Sequence, residues 1–461
     1  MKPKIGLIGL TAQLYKERIP DFIDNLEEFS FELKKVCEEF SSVIHFPVVY
    51  KKEQVEEAFK KIRNSDCDGV ILFFLSYSPS LIISPVLKKY KDIPVLIWNT
   101  QKLFEINENF TDSDMLNNHG MHGVQDLASV LLREKTNFSL ITGYYKEKQV
   151  IEKIKKWCQA TSISKFLKKS KIGRIGGKFK DMGDFSIPDE KINKIIGPEI
   201  VDIPLKKLSE ISLKIDKSKI EKLMKEDRKN FKIKADEKIH YVVSRIEISL
   251  RKIIEEKKLD GVAINFNSFK GQKGCEVIPF SAISKFLSEG IGYGGEGDVM
   301  CAISVLIFQK LFGEGNFVEM FTTDYKNSRV CSSHMGEINI NMAKDKGEIE
   351  IVEKDMTIVK KGLKTLFFKF QIKPGKITLF NISPTENSFK FIVSKGEIID
   401  IPIFKDITSP HFIFKVGRKV EDFLTEYSKL GGTHHLAMTY GDRSEEIKYL
   451  SEIMGIEYFE V

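Results

Sequence analysis

The sequence predicts an α/β chain of two doubly wound parallel-sheet domains followed by a C-terminal antiparallel β-barrel domain. Three observations carry this. Short, continuous apolar runs alternate with amphipathic stretches up to Lys135. Continuous runs fit parallel strands that crossover helices bury on both faces. The alternation resumes after Phe138, and beyond Val330 it gives way to short alternating runs between Gly, Pro and Asn turns. The expected domains are therefore 1–136, 137–330 and 331–461.

In the first domain, Ile5 to Leu10 reads as a strand and Ile23 to Phe40 as a helix. Gly69 to Leu75 and Pro94 to Trp98 are further buried strands. Open α/β sheets bind ligands beyond the carboxyl ends of their strands. Those ends carry Thr11 to Tyr15, Ser76 to Ser78 and Asn99 to Gln101, all polar stretches. The second unit opens at Phe138-Ser-Leu-Ile-Thr-Gly143, with helical stretches at Glu147 to Gln159 and Lys217 to Lys257 and a strand from Gly261 to Phe266. Gly173-Arg-Ile-Gly-Gly177 lacks both phosphate-loop and dinucleotide spacings, so it reads as a turn. The third segment offers short strands at Ile338 to Asn341, Lys364 to Phe370, Lys376 to Phe380 and Phe391 to Val393, then a helix from Lys419 to Lys429.

The net charge of +7 over 461 residues comes from lysines spread along the chain. No basic block interleaves with aromatics, which argues against nucleic acid. The six cysteines form no C-x-x-C pair, as expected of reduced thiols in a cytoplasmic protein. The apolar N-terminal run is too short for an export signal, and no stretch approaches the roughly 20 apolar residues of a membrane span.

Chemistry concentrates in three motifs: Gly294-Gly-Glu296-Gly-Asp298, Ser333-His334-Met-Gly-Glu337 and Thr433-His434-His435. Phe321-Thr-Thr-Asp324-Tyr325 lies between the first two. Histidine is scarce, so the clustering is informative. Two carboxylates and two imidazoles suit a divalent ion such as Mn²⁺ with open positions for substrate. Asp298 can cap a helix through Val299 to Ile307 that is apolar nearly all round and hence buried. Glu296 then sits at the mouth of a buried helix, where a carboxylate needs a cation or hydrogen-bond donors. Of His434 and His435, one side chain is expected to face inward.

Taken together these motifs resemble the L-arabinose and L-fucose isomerases, over most of the chain and in the family's order. The glycine loop resembles the one holding the first metal-binding glutamate, Ser333-His334-Met-Gly-Glu337 the loop with the metal-binding histidine, and Thr433-His434-His435 the C-terminal pair. The resemblance implies that His435 binds metal. Asn117-Asn-His-Gly-Met-His122-Gly123 resembles a segment whose histidine reaches a neighbouring subunit's active site, which implies a homo-oligomer, a trimer or hexamer, with shared sites. Leu140-Ile-Thr-Gly-Tyr144 resembles the start of the family's middle domain. The chain departs from the arabinose isomerase pattern at Thr323, where that family has a metal-binding glutamate before Asp-Tyr. Asp324 is the replacement candidate and Glu319 the second.

The implied activity is a metal-dependent aldose–ketose isomerisation through a cis-enediol. Glu296 and Asp324 are the acid–base pair, and Glu296, Asp324, His334 and His435 the ligands of Mn²⁺ or another divalent ion. Gln13, Tyr77 and His122 are candidates for contacts to sugar hydroxyls. The alternatives are a related metal enzyme acting on a different sugar derivative and a non-catalytic sugar-binding protein. Neither nucleic acid nor membrane is expected as a partner.

Overall fold

In the computed structural model, which describes residues 2–402, 404 and 406–461, the chain folds as two compact units. The first runs to Phe166 and takes in Glu445–Ile456; the second comprises Leu167–Ser444 and Glu457–Val461.

The first unit is built on five parallel strands: β1 (Lys4–Leu10), β2 (Ser42–Val49), β3 (Gly69–Phe74), β4 (Val95–Asn99) and β5 (Ser139–Thr142), in the order β2-β1-β3-β4-β5. The continuous apolar run Gly69-Val-Ile-Leu-Phe-Phe74 is buried along its whole length. Helices such as Phe22–Glu38, Lys52–Asn64 and Gly120–Arg133 connect the strands. One expectation changes here. The strand at Ser139 to Thr142 does not open a second sheet; it pairs with β4 from Leu96↔Ser139 to Asn99↔Thr142. It is an edge strand whose residues are alternately buried and exposed, and a short apolar run does not itself specify which neighbour it joins.

The second unit contains a smaller parallel sheet of β6 (Lys171–Ile175), β7 (Glu199–Ile203), β9 (Gly261–Ile264) and β10 (Gly292–Gly295), ordered β10-β9-β6-β7. The intervening β8 (Lys232–Lys234) pairs elsewhere. A β-carbon on Gly294 would come within 2.0 Å of the Asp298 carbonyl oxygen, so only glycine lets the helix Val299–Phe312 pack directly on β10. That helix is buried from Val299 to Gln309, as its all-apolar surface demands.

The chain continues through β11 (Asn316–Asp324), β12 (Arg329–Ser333), β13 (Glu350–Asp355), β14 (Lys364–Lys369), β15 (Gly375–Pro384), β16 (Phe389–Ile398), β17 (His411–Val416), β18 (His435–Tyr440) and β19 (Glu457–Glu460). Seven of these form a mixed, mainly antiparallel sheet, β15-β18-β11-β12-β17-β16-β19, in which β16 also pairs with β15 and only β19 runs parallel to its neighbour. β14, β13 and β8 form a separate three-stranded sheet. Among the described residues, no helix is long and apolar enough to cross a membrane.

Candidate active site

The end of β10, the start of β18 and the facing ends of β11 and β12 bring the three motifs together. Glu296 follows β10 in a left-handed conformation (φ 60°) and is 7 % exposed. Asp298 caps the buried helix, its Oδ1 accepting the backbone N–H groups of Met300 and Cys301 at 2.9 and 3.0 Å. Its Oδ2 lies 3.0 Å from Nδ1 of His435. The cap thus also orients an imidazole, leaving Nε2 of His435 aimed at Oε2 of Glu296, 3.7 Å away.

The same device recurs at His334. Glu337 Oε2 lies 2.7 Å from its Nδ1, while Glu337 also accepts from the Tyr293 hydroxyl (2.5 Å) and the Gly336 N–H (2.9 Å). Nε2 of His334 then faces Oε2 of Glu319 at 4.0 Å. Glu319 arrives by sheet register: it stands opposite Ser333 in β12 and His435 in β18. Phe317, two residues earlier on the same face, packs its ring 4.6 Å from His334 and 4.8 Å from His435.

His434 is held from another segment. Asp184 Oδ2 lies 2.6 Å from its Nδ1 and accepts its backbone N–H at 3.2 Å. Its Nε2 stands 3.5 Å from Oε2 of Glu296, near enough for an ion pair but not aligned as a hydrogen bond. The adjacent Phe185 stacks on His435, with ring centroids 5.5 Å apart and planes 16° from parallel.

The electrostatics follow from burial and these partners. Burial holds His435 well below the ordinary histidine range. Burial also pushes the Asp298 carboxyl up to about 7 and raises Glu319. At His434 burial opposes the charge, but the Asp184 and Glu296 carboxylates outweigh it and push the imidazole up to about 10. At His334 the Glu337 carboxylate likewise outweighs burial and raises the imidazole, while the donors around Glu337 lower that carboxyl.

Two polar atoms at the centre of the site are orphaned. Glu296 Oε2 and His435 Nε2 are both buried without a hydrogen-bond partner. Leaving such groups unsatisfied costs roughly 1–3 kcal/mol each. Glu296, His434 and His435 each offer a ligand atom within 4.8 Å of the others. A cation beside Glu296 and His435 would satisfy the orphaned pair, so these two residues fit a divalent metal, whereas the His434 ring, held in its charged form by Asp184 and Glu296, has no lone pair to give it.

The structure therefore groups Glu296, His334 and His435, as the sequence suggested, but not Asp324. Asp324 is the last residue of β11, at the entry to the turn into β12, where it accepts from the Asn327 N–H at 3.1 Å and the Asn327 side-chain amide at 2.8 Å. Its bonds serve that turn, and the acidic group facing Nε2 of His334 is Glu319. Asp-Tyr-Lys-Asn-Ser is turn chemistry. Gln13, Tyr77 and His122 belong to the first unit. Gln13 opens the helix after β1 and donates to Glu17 at 2.5 Å. Tyr77 follows β3 and packs 6.0 Å from the His119 ring, whose Nε2 lies 2.6 Å from Nδ1 of His122. Asp184 and Phe185 were not foreseen; they lie in an irregular loop with no local motif. Glu337 stood in a recognised motif, but only its contact with Nδ1 of His334 reveals its role.

Comparison with known proteins adds independent support. Residues 7–168 match the L-arabinose isomerase N-terminal domain, 190–314 the central domain and 314–457 the C-terminal domain. The L-arabinose isomerase of Thermotoga maritima is 26 % identical, with 91 % of this chain and 85 % of that protein covered. That of Bacteroides thetaiotaomicron is 26 % identical over 89 % of this chain and 84 % of its own. L-arabinose isomerase 1 of Bacillus licheniformis is 23 % identical over 97 % and 91 %. Three consecutive domain matches, with the relatives aligned nearly end to end, show that the chain belongs to the L-fucose/L-arabinose isomerase family of sugar aldose–ketose isomerases.

Proposed function

We propose that the protein is a divalent-metal-dependent isomerase of an aldopentose, with L-arabinose the first substrate to try because the relatives carry that name. One observation carries the metal dependence: Oε2 of Glu296 and Nε2 of His435 are buried without a hydrogen-bond partner and lie 3.7 Å apart. Glu296, Glu319, His334 and His435 would hold the ion, with Glu319 in the place first given to Asp324. When bound, Mn²⁺ or a similar ion supplies Lewis-acid stabilisation to the sugar oxygens.

Glu296 and Glu319 are the acid–base pair. One carboxylate takes the proton from C2 of the aldose and returns it to C1. The other moves a proton between the C1 and C2 oxygens, so the sugar passes through a cis-enediol and no net proton is lost. The raised Glu319 carboxyl suits this shuttle, because a group nearer the working pH both gives and takes protons. Phe185 and Phe317 exclude water from the imidazole side.

The pairing of β15 with β16, which joins the ends of the series β15-β18-β11-β12-β17-β16, supports reading that sheet as a closed barrel. The pairing of exposed His122 with half-buried His119, beside Tyr77, supports a role for Tyr77, His122 and Gln13 in gripping sugar hydroxyls across a homo-oligomer, a trimer or hexamer. Elemental analysis after reconstitution, with a panel of aldopentoses and aldohexoses, tests the function. We expect about one Mn²⁺ per subunit and ketose formed from at least one sugar. Failure to bind metal at saturation removes the proposal.

A further inference from the structure

His434 is the one imidazole of the cluster turned to the open side. Its side chain is 34 % exposed, against 2 % for His334 and 0 % for His435. All three have Nδ1 held by a carboxylate and Nε2 directed at Glu296 or Glu319. For the two buried rings the carboxylate comes from the glycine loop or from the ring's own turn. For His434 it comes from the loop at 176–187, which follows β6.

That loop is fastened to the Glu296 segment twice over. The Phe179 N–H donates to the Glu296 carbonyl at 3.0 Å. A β-carbon on Gly297 would lie 2.3 Å from the Gly177 carbonyl oxygen, so the two backbones are in direct contact. Lys178 Nζ donates to the Ile187 carbonyl at 2.7 Å and closes the loop on itself. From this base Asp184 grips both the ring and the backbone of His434 through a single oxygen.

We propose that Asp184 is a positioning residue of the isomerisation: it fixes His434 on the open side of the cluster, with Nε2 facing the space beside Glu296 that a sugar oxygen enters. With Nδ1 committed to Asp184, Nε2, 3.5 Å from Glu296 and on the open side, is the nitrogen placed to meet a substrate. The two buried rings are walled by Phe185 and Phe317. The assignment rests on the isomerase reading above, and it gives the loop at 176–187 a function: docking of this loop sets the grip on the substrate and leaves metal affinity alone.

The test compares wild type, Asp184→Asn, His434→Gln and the double variant by calorimetry, with Mn²⁺ alone and then with arabinitol at saturating Mn²⁺, together with kcat and KM on the preferred aldose. Each single change should weaken arabinitol at least about 10-fold, the scale of outer partners of a site. Mn²⁺ affinity should stay within about 2-fold, and the double variant should be no worse than either single one, because the two residues act as one unit. A crystal structure of Asp184→Asn should show the His434 ring displaced. Four results overturn the assignment: loss of Mn²⁺ affinity in step with arabinitol, additive effects, unchanged arabinitol binding, or an undisturbed ring. Wild type that binds neither Mn²⁺ nor arabinitol defeats the isomerase reading, and this role with it. Normal binding that Asp184→Asn leaves intact defeats only the role of Asp184.

Discussion

Asp298 and His435 stand 137 positions apart in sequence, yet Oδ2 of one lies 3.0 Å from Nδ1 of the other in the buried heart of the second unit. The carboxylate that starts the helix Val299–Phe312 is thereby the carboxylate that orients an imidazole of the site. Helix capping and site geometry are one interaction, and they can be separated by mutation.

Asp298→Asn is the separating change. Asparagine caps helices about as well as aspartate, and its carbonyl oxygen can keep the two backbone N–H groups. Its amide then faces Nδ1 of His435 and donates to it, which drives the ring proton to Nε2. We expect stability within about 1 kcal/mol of wild type and Mn²⁺ affinity lower by about 10–100-fold. Thermal melting without metal and a Mn²⁺ titration measure the two sides. Equal losses in both would mean that Asp298 is a cap alone.

A second prediction concerns acid. His45 in β2 is half-buried, with Nε2 2.8 Å from Ser30 Oγ, and burial, aided by Lys34, lowers it to about 4. The unfolded chain titrates near 6.5. Below that pH the unfolded state takes up a proton that the folded state refuses, so stability is full above about 6.5 and falls as pH drops toward 4. His45→Gln cannot titrate and can still bond Ser30. Urea midpoints at pH 7 and pH 5 should differ less for this variant than for wild type; an unchanged difference would assign the acid sensitivity elsewhere.

The third prediction concerns Lys285, which is buried and lies 2.6 Å from Asp227 and 2.8 Å from Glu247. Lys285→Met keeps the bulk and removes the cation from between two buried carboxylates. Stripping one partner from a buried network costs about 3–5 kcal/mol. Chemical denaturation should show a loss of that size, greater than for a surface pair such as Lys217–Glu221, whose removal should cost under about 1 kcal/mol.

Much of this arrangement is legible in the sequence, for physical reasons that differ by element. Val299 to Ile307 is apolar all round and therefore buried, and an aspartate just before it is a cap. Gly294-Gly-Glu296-Gly-Asp298 announces close backbone approach, and the structure supplies the carbonyl that Gly294 must avoid. The edge strand Ser139–Thr142 was misplaced because local pattern does not choose a partner strand. Asp324 was preferred to Glu319 on a short Asp-Tyr match. What decides between them is the register Glu319↔His435 across β11 and β18, a long-range pairing that no local motif encodes. Asp184 escaped for the same reason, since its partner lies 250 residues away.

In the proposed reaction Glu319, with Glu296, moves protons on a metal-held sugar, and Asp324 serves only its turn. The most direct test is the turnover of Glu319→Gln beside Asp324→Asn, with the best aldose and Mn²⁺ in excess. Glutamine keeps the shape and removes the shuttle, so turnover should fall by roughly 10²–10⁴-fold. Asparagine at 324 can still accept from the Asn327 N–H in the turn, and turnover should stay within about 2-fold, as for surface changes away from any site. The opposite ranking, with Asp324→Asn inactive and Glu319→Gln near wild type, would contradict the account.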